Sequence, residues 1–184
     1  IKGPPTEPYA DIFSTPVPFE DHELWADTLT EIIERTSPEI LDNLTLRSWS
    51  KLNKGQRMET LKKFTDILAS NLNMEPVNIV LNPNLYTPAQ YDPTTKQIEI
   101  NPSGTSWDSP DKIIGIVAHE FQHHIQHTAP ENLIGGTPEY VKAIQRNVKN
   151  YIDYPVDPVK YAGQLLERDA ESIGKHISRR IGDA

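Results

Sequence analysis

Two histidines and a glutamate in the middle of the chain have the spacing of a metal site. Segment 119–123 reads His-Glu-Phe-Gln-His, so His119 and His123 stand four positions apart. Residues with this spacing share one face of an α-helix, and both imidazoles can therefore reach one ion. Glu120 lies about 100° further round the helix, where its carboxylate can act on a water molecule without binding the metal. We predict His119 and His123 as zinc ligands and Glu120 as the general base of a hydrolytic reaction.

The residues around this motif predict the helix that must carry it. A serine, a proline and an aspartate at 109–111 combine an N-cap, a proline at the first helical position and an acid in the first turn. A helix should therefore begin there and continue to about Thr128. Its apolar residues cluster behind the histidines, which indicates burial. His127 also stands four positions after His123, but only the earlier pair has a glutamate directly after its first histidine.

A catalytic zinc site needs a third protein ligand and one position left open for water. The C-terminal segment offers three carboxylates, Glu167, Asp169 and Glu171. Projected on a helix, Glu167 lies on the same side as Gly163 and Gly174, and glycines there would let this helix approach the motif helix closely. We predict Glu167 as the third ligand and Glu171, one turn further on, as a hydrogen-bond acceptor for a ligand histidine. Asp169 or Glu171 as the ligand, and an ordinary charged helix face for the whole run, are the alternatives.

Hydrophobic periodicity and turn residues predict the elements that position these side chains. Shorter β-like patterns at 77–81 and 97–101 predict strands of a short mixed sheet, and residues 91–96 read as the turn leading into the second strand. We expect an α+β fold in which this small sheet packs on helices. Helical patterns recur in four further segments: from Asp21 to about 36, after the N-cap residue Asn53 with Gln56 three positions later, over 138–150 and over 159–181.

The start of the chain differs in composition from the rest. Five of the 16 prolines lie in the first 18 residues, where they remove backbone donors and favour an extended path. We expect residues 1–19 to be an arm or linker that continues from a larger protein, and an ordered strap lying on the domain is the alternative. Residues 20–184 should form a single domain.

Composition argues against several classes of function. The 184 residues carry 18 Lys+Arg against 26 Asp+Glu, a net charge of −8, which argues against binding to nucleic acid phosphates or to an anionic membrane. Cysteine is absent, so histidine and carboxylates are the remaining strong zinc ligands. The longest apolar stretch, 113–118, is far shorter than the roughly 20 residues of a membrane span. We expect neither a nucleic acid nor a membrane as a partner.

The order of these features resembles a known class of enzymes. Strand 97–101, the histidine motif and the later Glu167-x-Asp169-Ala170 resemble the gluzincin type of zincin metallopeptidases, the class that includes thermolysin. This resemblance implies a zincin-like fold, a Zn²⁺ cofactor and an endopeptidase that acts on a protein or peptide. The Asn-Glu-x-x-x-Asp string of thermolysin-like enzymes is absent, because Glu171 follows Glu167 at four residues.

A narrower resemblance concerns the order of segments before the motif. Ser48–Leu52 ahead of a long helix, then strand residues 98–101, then the motif, are similar to zincin-like toxin modules at the C-termini of bacterial polymorphic toxins and secreted effectors. This resemblance implies a module that is secreted or delivered from a bacterial cell and fused to a larger protein at its N-terminus. It also implies a cognate immunity or inhibitor protein as a partner.

The zincin resemblance further implies a hydrogen-bond donor for the tetrahedral intermediate, a tyrosine or a histidine. Tyr151, Tyr154, Tyr161 and His176 are the candidates, and a buried structural role is the alternative for each tyrosine. Strand 97–101 would pair with an extended substrate if it formed an exposed edge of the sheet.

Two other functions stay open at the level of sequence. A zinc hydrolase of a non-protein amide or ester would use the same site. A metal-stabilised or metal-free binding module would instead use the proline-rich arm and the helical surface. Zinc content, together with cleavage that is lost in Glu120→Gln, separates an enzyme from a binding module.

Overall fold

The computed structural model describes residues 11–182, and within this range the chain forms nine α-helices and one three-stranded sheet. None of these helices is long and apolar enough to cross a bilayer. The helices are α1 (Asp11–Ser14), α2 (Phe19–Thr36), α3 (Pro38–Asn43), α4 (Leu46–Trp49), α5 (Lys54–Asn71), α6 (Pro110–Thr128), α7 (Pro138–Lys149), α8 (Pro158–Gly163) and α9 (Leu165–Gly182). The strands are β1 (Asn78–Leu81), β2 (Ala89–Asp92) and β3 (Gln97–Ile100).

Helices α6 and α9 pack directly against each other, and their backbones touch where Gly115 meets Gly174. A Cβ atom added to Gly174 would lie 2.7 Å from the carbonyl oxygen of Gly115, so only glycine fits at this distance. The close approach expected from Gly174 is confirmed. The expectation for Gly163 is wrong, because this residue ends α8 and a Cβ atom there would lie no closer than 3.9 Å to its nearest neighbour, Phe13.

Local signals explain where several helices begin. Asn53 Oδ1 accepts a hydrogen bond from the Gln56 backbone at 2.8 Å, and Gln56 Oε1 accepts one from the Asn53 backbone at 2.9 Å. This capping box satisfies two donors at the start of α5. Helix α6 begins at Pro110 and ends at Thr128, and α7 begins at Pro138, as the sequence predicts.

The last predicted helix is interrupted. The sequence predicts one helix over 159–181, whereas the structure has α8 and α9 separated by Gln164 in an extended conformation. The Gln164 side chain is fully buried and forms hydrogen bonds with both the backbone N–H and the carbonyl of Ile152, at 3.0 and 2.8 Å. These hydrogen bonds with the Ile152 backbone compensate for the helical hydrogen bonds that are lost at the break. Local periodicity cannot predict them, because Ile152 lies in another segment.

The short mixed sheet is confirmed, with one strand that the sequence analysis missed. Strand β3 is central, parallel to β1 and antiparallel to β2. Tyr91 and Asp92, predicted in a turn, belong to β2. The sequence does not predict this strand, because prolines and polar residues around it are typical of a turn. The idea that 97–101 forms an exposed edge is wrong, because β3 is hydrogen-bonded on both sides.

One hydrophobic cluster joins the sheet to the helices, so the α+β prediction holds. It includes Ile33 of α2, Phe64 of α5, Ile98 of β3, Phe121 of α6 and Leu166 of α9, each at most 1% exposed. Burial of each such side chain contributes about 1.5–3 kcal/mol to folding.

The described part of the predicted arm packs on the helices. Ile12 is 2% exposed, and Asp11 forms an ion pair with Arg146 of α7. Arg168 of α9 donates hydrogen bonds to the carbonyls of Ile12 and Thr15. Residues 1–10 of the predicted arm lie outside the described residues.

Candidate metal centre

His119, His123 and Glu167 bring their ligand atoms to one small region between α6 and α9. The Nε2 atoms of the two histidines are 3.2 Å apart. Glu167 Oε2 is 3.2 Å from His119 Nε2, and Glu167 Oε1 is 3.3 Å from His123 Nε2. Within residues 11–182, no other group of three or more His, Asp or Glu side chains is close enough to share an ion. The structure therefore brings together the three residues predicted as ligands.

The helices explain this convergence. His119 and His123 are one turn apart on α6, and Glu167 lies in the first turn of α9. The contact between Gly115 and Gly174 holds the two helices close enough for a glutamate side chain to span the gap. Glu167 and His123 are 6% and 9% exposed, so the cluster is largely shielded from solvent.

The donor set fits a small tetrahedral cation. Ligands that bind zinc tetrahedrally at about 2.0–2.1 Å lie about 3.3 Å from one another. The two histidine Nε2 atoms are 3.2 Å apart, and each lies 3.2–3.3 Å from a different oxygen of Glu167, so these separations are close to that value. Two ring nitrogens 3.2 Å apart repel each other unless a proton or a cation lies between them. Two imidazoles and a carboxylate supply three of the four ligands of such a site.

Each of the three side chains is held by a further group. His119 Nδ1 is 3.4 Å from Glu171 Oε2, in the relation predicted from the sequence. The Tyr151 hydroxyl donates to Glu167 Oε1 at 2.7 Å. His123 Nδ1 is 2.8 Å from Gln126 Oε1, a partner that the sequence analysis missed. The available signal was the position of Gln126 three residues after His123, on the same side of α6.

Charges in this cluster shift the pKa values of its members. Burial opposes protonation of His119, but hydrogen bonds with Glu167 and Glu171 raise its pKa to about 10. The pKa of His123 is also raised despite burial, through its hydrogen bond with Glu167. Burial opposes ionisation of Glu167, yet the two histidines hold the pKa of its carboxyl well below the usual range. The cluster thus holds an ionised carboxylate beside histidine protons that a cation would displace.

Glu120 lies beside the cluster without joining it. Its carboxylate forms no hydrogen bond with any residue in the described part of the chain, and the residue is 9% exposed. Its charge contributes to the raised pKa values of His119 and His123. Burial, with the charges of Glu167 and Glu120, also raises the pKa of Tyr161 to about 12. Glu120 is therefore near both the ligand atoms and Tyr161, and its carboxylate has no competing protein partner.

The candidate donors for a tetrahedral intermediate separate into two groups. Tyr151 contacts Glu167 directly, and the Tyr161 ring packs against Tyr151 and Tyr154 with centroids 6.2 and 5.7 Å apart. Tyr154 is further out and 61% exposed. His176 is in a different place, with Nδ1 donating to the Ser172 carbonyl at 2.7 Å and its ring against Phe19. The structure brings Tyr151 and Tyr161 to the centre and leaves His176 away from it.

The alternative ligand Asp169 does not reach the histidines. It lies about 200° from Glu167 round α9 and is fully buried on another face. Its carboxylate accepts hydrogen bonds from Gln122 and Gln126 at 2.8 Å and from the Tyr140 hydroxyl at 2.6 Å. These contacts account for Asp169 without a metal.

The second histidine spacing has a separate explanation. His124 Nδ1 is 2.9 Å from the Tyr91 hydroxyl, which places this ring against β2. His127 is exposed and packs its ring near that of Tyr91. Neither residue contributes to the cluster of His119, His123 and Glu167.

Comparison with known proteins gives no independent guide to this site. No family model, curated protein or solved structure matches the chain. The geometry of the site is therefore the basis for assigning its function.

Proposed function

We propose that the chain is a zinc-dependent endopeptidase with His119, His123 and Glu167 as its metal ligands. The observation that carries this proposal is the convergence of two histidine Nε2 atoms, 3.2 Å apart, on the carboxylate of Glu167, which has one oxygen 3.2–3.3 Å from each of them. The free carboxylate of Glu120 beside these donors supports hydrolysis rather than a purely structural ion.

Each residue then has a defined task in peptide hydrolysis. Zinc held by His119, His123 and Glu167 would act as a Lewis acid and would lower the pKa of a water molecule to about 7. Glu120 accepts a proton from the attacking water and returns it to the leaving amine. Tyr151, which contacts Glu167, and Tyr161, which packs on Tyr151, are the hydroxyl donors that we assign to the developing oxyanion. Delivery from a bacterial cell and control by an immunity protein stay predictions from the resemblance.

Two variants with matched controls test the proposal. The wild-type chain should bind one zinc ion, measured by elemental analysis after dialysis, and His119→Ala should lose it. His127→Ala, an exposed histidine on the same helix, should keep it. Glu120→Gln should retain zinc but lose cleavage of unfolded test proteins by roughly 10²–10⁴-fold. Glu131→Gln, an exposed glutamate beyond the helix, should leave cleavage unchanged.

The outcomes separate the competing functions. Discrete protein fragments that disappear in Glu120→Gln support the endopeptidase. Zinc binding without protein cleavage, but with hydrolysis of small amides or esters that needs Glu120, supports a non-protein hydrolase. A wild-type chain that binds no zinc at micromolar concentrations refutes the proposal.

A further inference from the structure

Asp169 is a fully buried carboxylate that joins four helices. It lies on α9 and accepts hydrogen bonds from Gln122 and Gln126 of α6 and from Tyr140 of α7. His22 Nε2 of α2 is 3.4 Å from Asp169 Oδ1. Burial opposes ionisation, but these contacts hold the pKa of Asp169 below its usual range. A buried charge is costly, so this group of contacts calls for a reason beyond ordinary packing.

The contacts of Asp169 determine the orientation of Gln126. Gln126 Nε2 donates both to Asp169 Oδ2 at 2.8 Å and to the Leu166 carbonyl at 3.0 Å. Both acceptors require the amide nitrogen on that side, so Gln126 Oε1 must face His123. Gln126 is 1% exposed, and no water can replace these partners without opening the helix contact.

The orientation of Gln126 in turn fixes the tautomer of His123. Its Oε1 can only accept, so the proton of the neutral imidazole lies on Nδ1, which is 2.8 Å away. The lone pair is then on Nε2, the atom that faces His119 and Glu167. Histidine binds a metal as the neutral imidazole, through the ring nitrogen that carries the lone pair.

In the same region a serine contacts a histidine, and that histidine contacts Asp169. This order of contacts resembles that of a nucleophilic triad. Ser172 Oγ is 2.8 Å from His22 Nδ1, and His22 Nε2 faces Asp169. His22 and Asp169 are both 0% exposed, and Asp169 is already bound by two amides and a hydroxyl. Ser172 itself is partly exposed and lines a cavity of about 260 Å³, but His22 Nε2 lies 3.4 Å from Asp169 Oδ1 and forms no hydrogen bond with it, so an anchoring role fits Asp169 better.

We infer that Asp169, acting through Gln126, is a positioning residue that presents the Nε2 lone pair of His123 to the metal. This inference rests on the proposed metal site. It assigns a role to a residue that the sequence analysis considered only as an alternative ligand. The link runs from Asp169 to Gln126 to His123. His123 Nδ1 donates to Gln126 Oε1, and Gln126 Nε2 donates to Asp169 Oδ2.

The chain contains a matched pair of residues for the test. Gln122 and Gln126 are one turn apart on α6, are 2% and 1% exposed, and donate to the same Asp169 oxygen at the same 2.8 Å. Of the two side chains, only that of Gln126 forms a hydrogen bond with the His123 ring. Gln126→Met should weaken zinc affinity by roughly 10–100-fold in chelator competition, whereas Gln122→Met should leave it within about twofold of wild type.

Nuclear magnetic resonance of the zinc-loaded protein provides a second measurement. The Nδ1 proton of His123 should be protected from exchange in the wild type and in Gln122→Met. This protection from exchange should be lost in Gln126→Met. If His123 of the wild type binds zinc through Nδ1, the inference is overturned without any variant having to fold. Equal zinc affinity in the two variants also overturns it, because a merely structural role would affect both alike. If the wild type binds no zinc, the proposed metal site itself has failed, which is a separate result.

Discussion

Glu167 and Asp169 are two buried carboxylates on the same helix, two residues apart, with opposite surroundings. Glu167 faces two imidazoles and a tyrosine hydroxyl near the protein surface. Asp169 faces amides, a second tyrosine and His22 in the interior. The two histidine nitrogens and the carboxylate of Glu167 are favourable for a cation between them. The hydrogen bonds of Asp169 satisfy its carboxylate without a cation. Comparison of their partners therefore distinguishes a ligand from an anchor, although residue type and burial are nearly the same.

The largest expected effect is on zinc binding when Glu167 is changed. Glu167→Gln removes the charge and one of three ligands, so zinc affinity should fall by more than the roughly 100-fold typical of losing a supporting hydrogen bond. The helix contact does not depend on this carboxylate, so circular dichroism should show an unchanged fold. Retention of tight zinc binding in Glu167→Gln would assign the third ligand elsewhere.

Asp169 should affect stability more strongly than Glu167 does, while its loss should also weaken zinc binding through Gln126. Asp169→Leu leaves Gln122, Gln126 and Tyr140 without their buried acceptor, so the metal-free chain should lose about 3 kcal/mol of unfolding free energy. Urea denaturation of metal-free samples measures this loss, with Glu167→Gln as the comparison. If Glu167→Gln destabilises the metal-free chain as much as Asp169→Leu does, the distinction between the two carboxylates is wrong.

A smaller effect should follow from separating the two helices that carry the site. Gly174→Ala places a Cβ atom 2.7 Å from the Gly115 carbonyl and 3.2 Å from His119 Cβ. Helix α9 must shift, at a cost of about 1–3 kcal/mol, and zinc binding should weaken with it. Gly163→Ala, where the nearest neighbour is 3.9 Å away, is the control and should leave zinc binding unchanged. Thermal melting and zinc titration of both variants check this expectation, and equal zinc affinity in the two would refute it.

The smallest effect should come from Glu171, which supports His119 but is half exposed. Glu171→Gln should reduce zinc affinity by roughly tenfold with little change in stability. Glu59→Gln is a suitable control, because Glu59 pairs with Lys63 on α5 as Glu171 pairs with Lys175 on α9. Zinc affinities that are indistinguishable between these variants would remove Glu171 from the site.

Much of the candidate site follows from local patterns. Helix α6, the convergence of its two histidines and the choice of Glu167 over Asp169 depend on helical periodicity and on Gly174. Glu171 follows from the same projection. These features are predictable because each depends on spacing along a single helix.

The missed features depend on partners distant in sequence. Strand β2 has little β-propensity of its own. It forms because its backbone pairs with β3 and because the Tyr91 hydroxyl forms a hydrogen bond with His124. The break at Gln164 requires the backbone of Ile152, and the role of Gln126 requires Asp169, 43 residues later. Amide side chains carry no periodic signal that reveals which buried groups they will satisfy.

The contact between Gly115 and Gly174 also bears on which ion the centre can hold. With no side chain between the helices, the distance between donor atoms cannot be adjusted by a change of rotamer at the crossing. Calcium requires six to eight oxygen ligands at about 2.3–2.6 Å, a wider and more oxygen-rich shell than two imidazoles and one carboxylate provide. Under the proposed function, two glycines that supply no ligand atom therefore help to restrict the centre to ions of small radius, and selectivity becomes a property of how the helices pack.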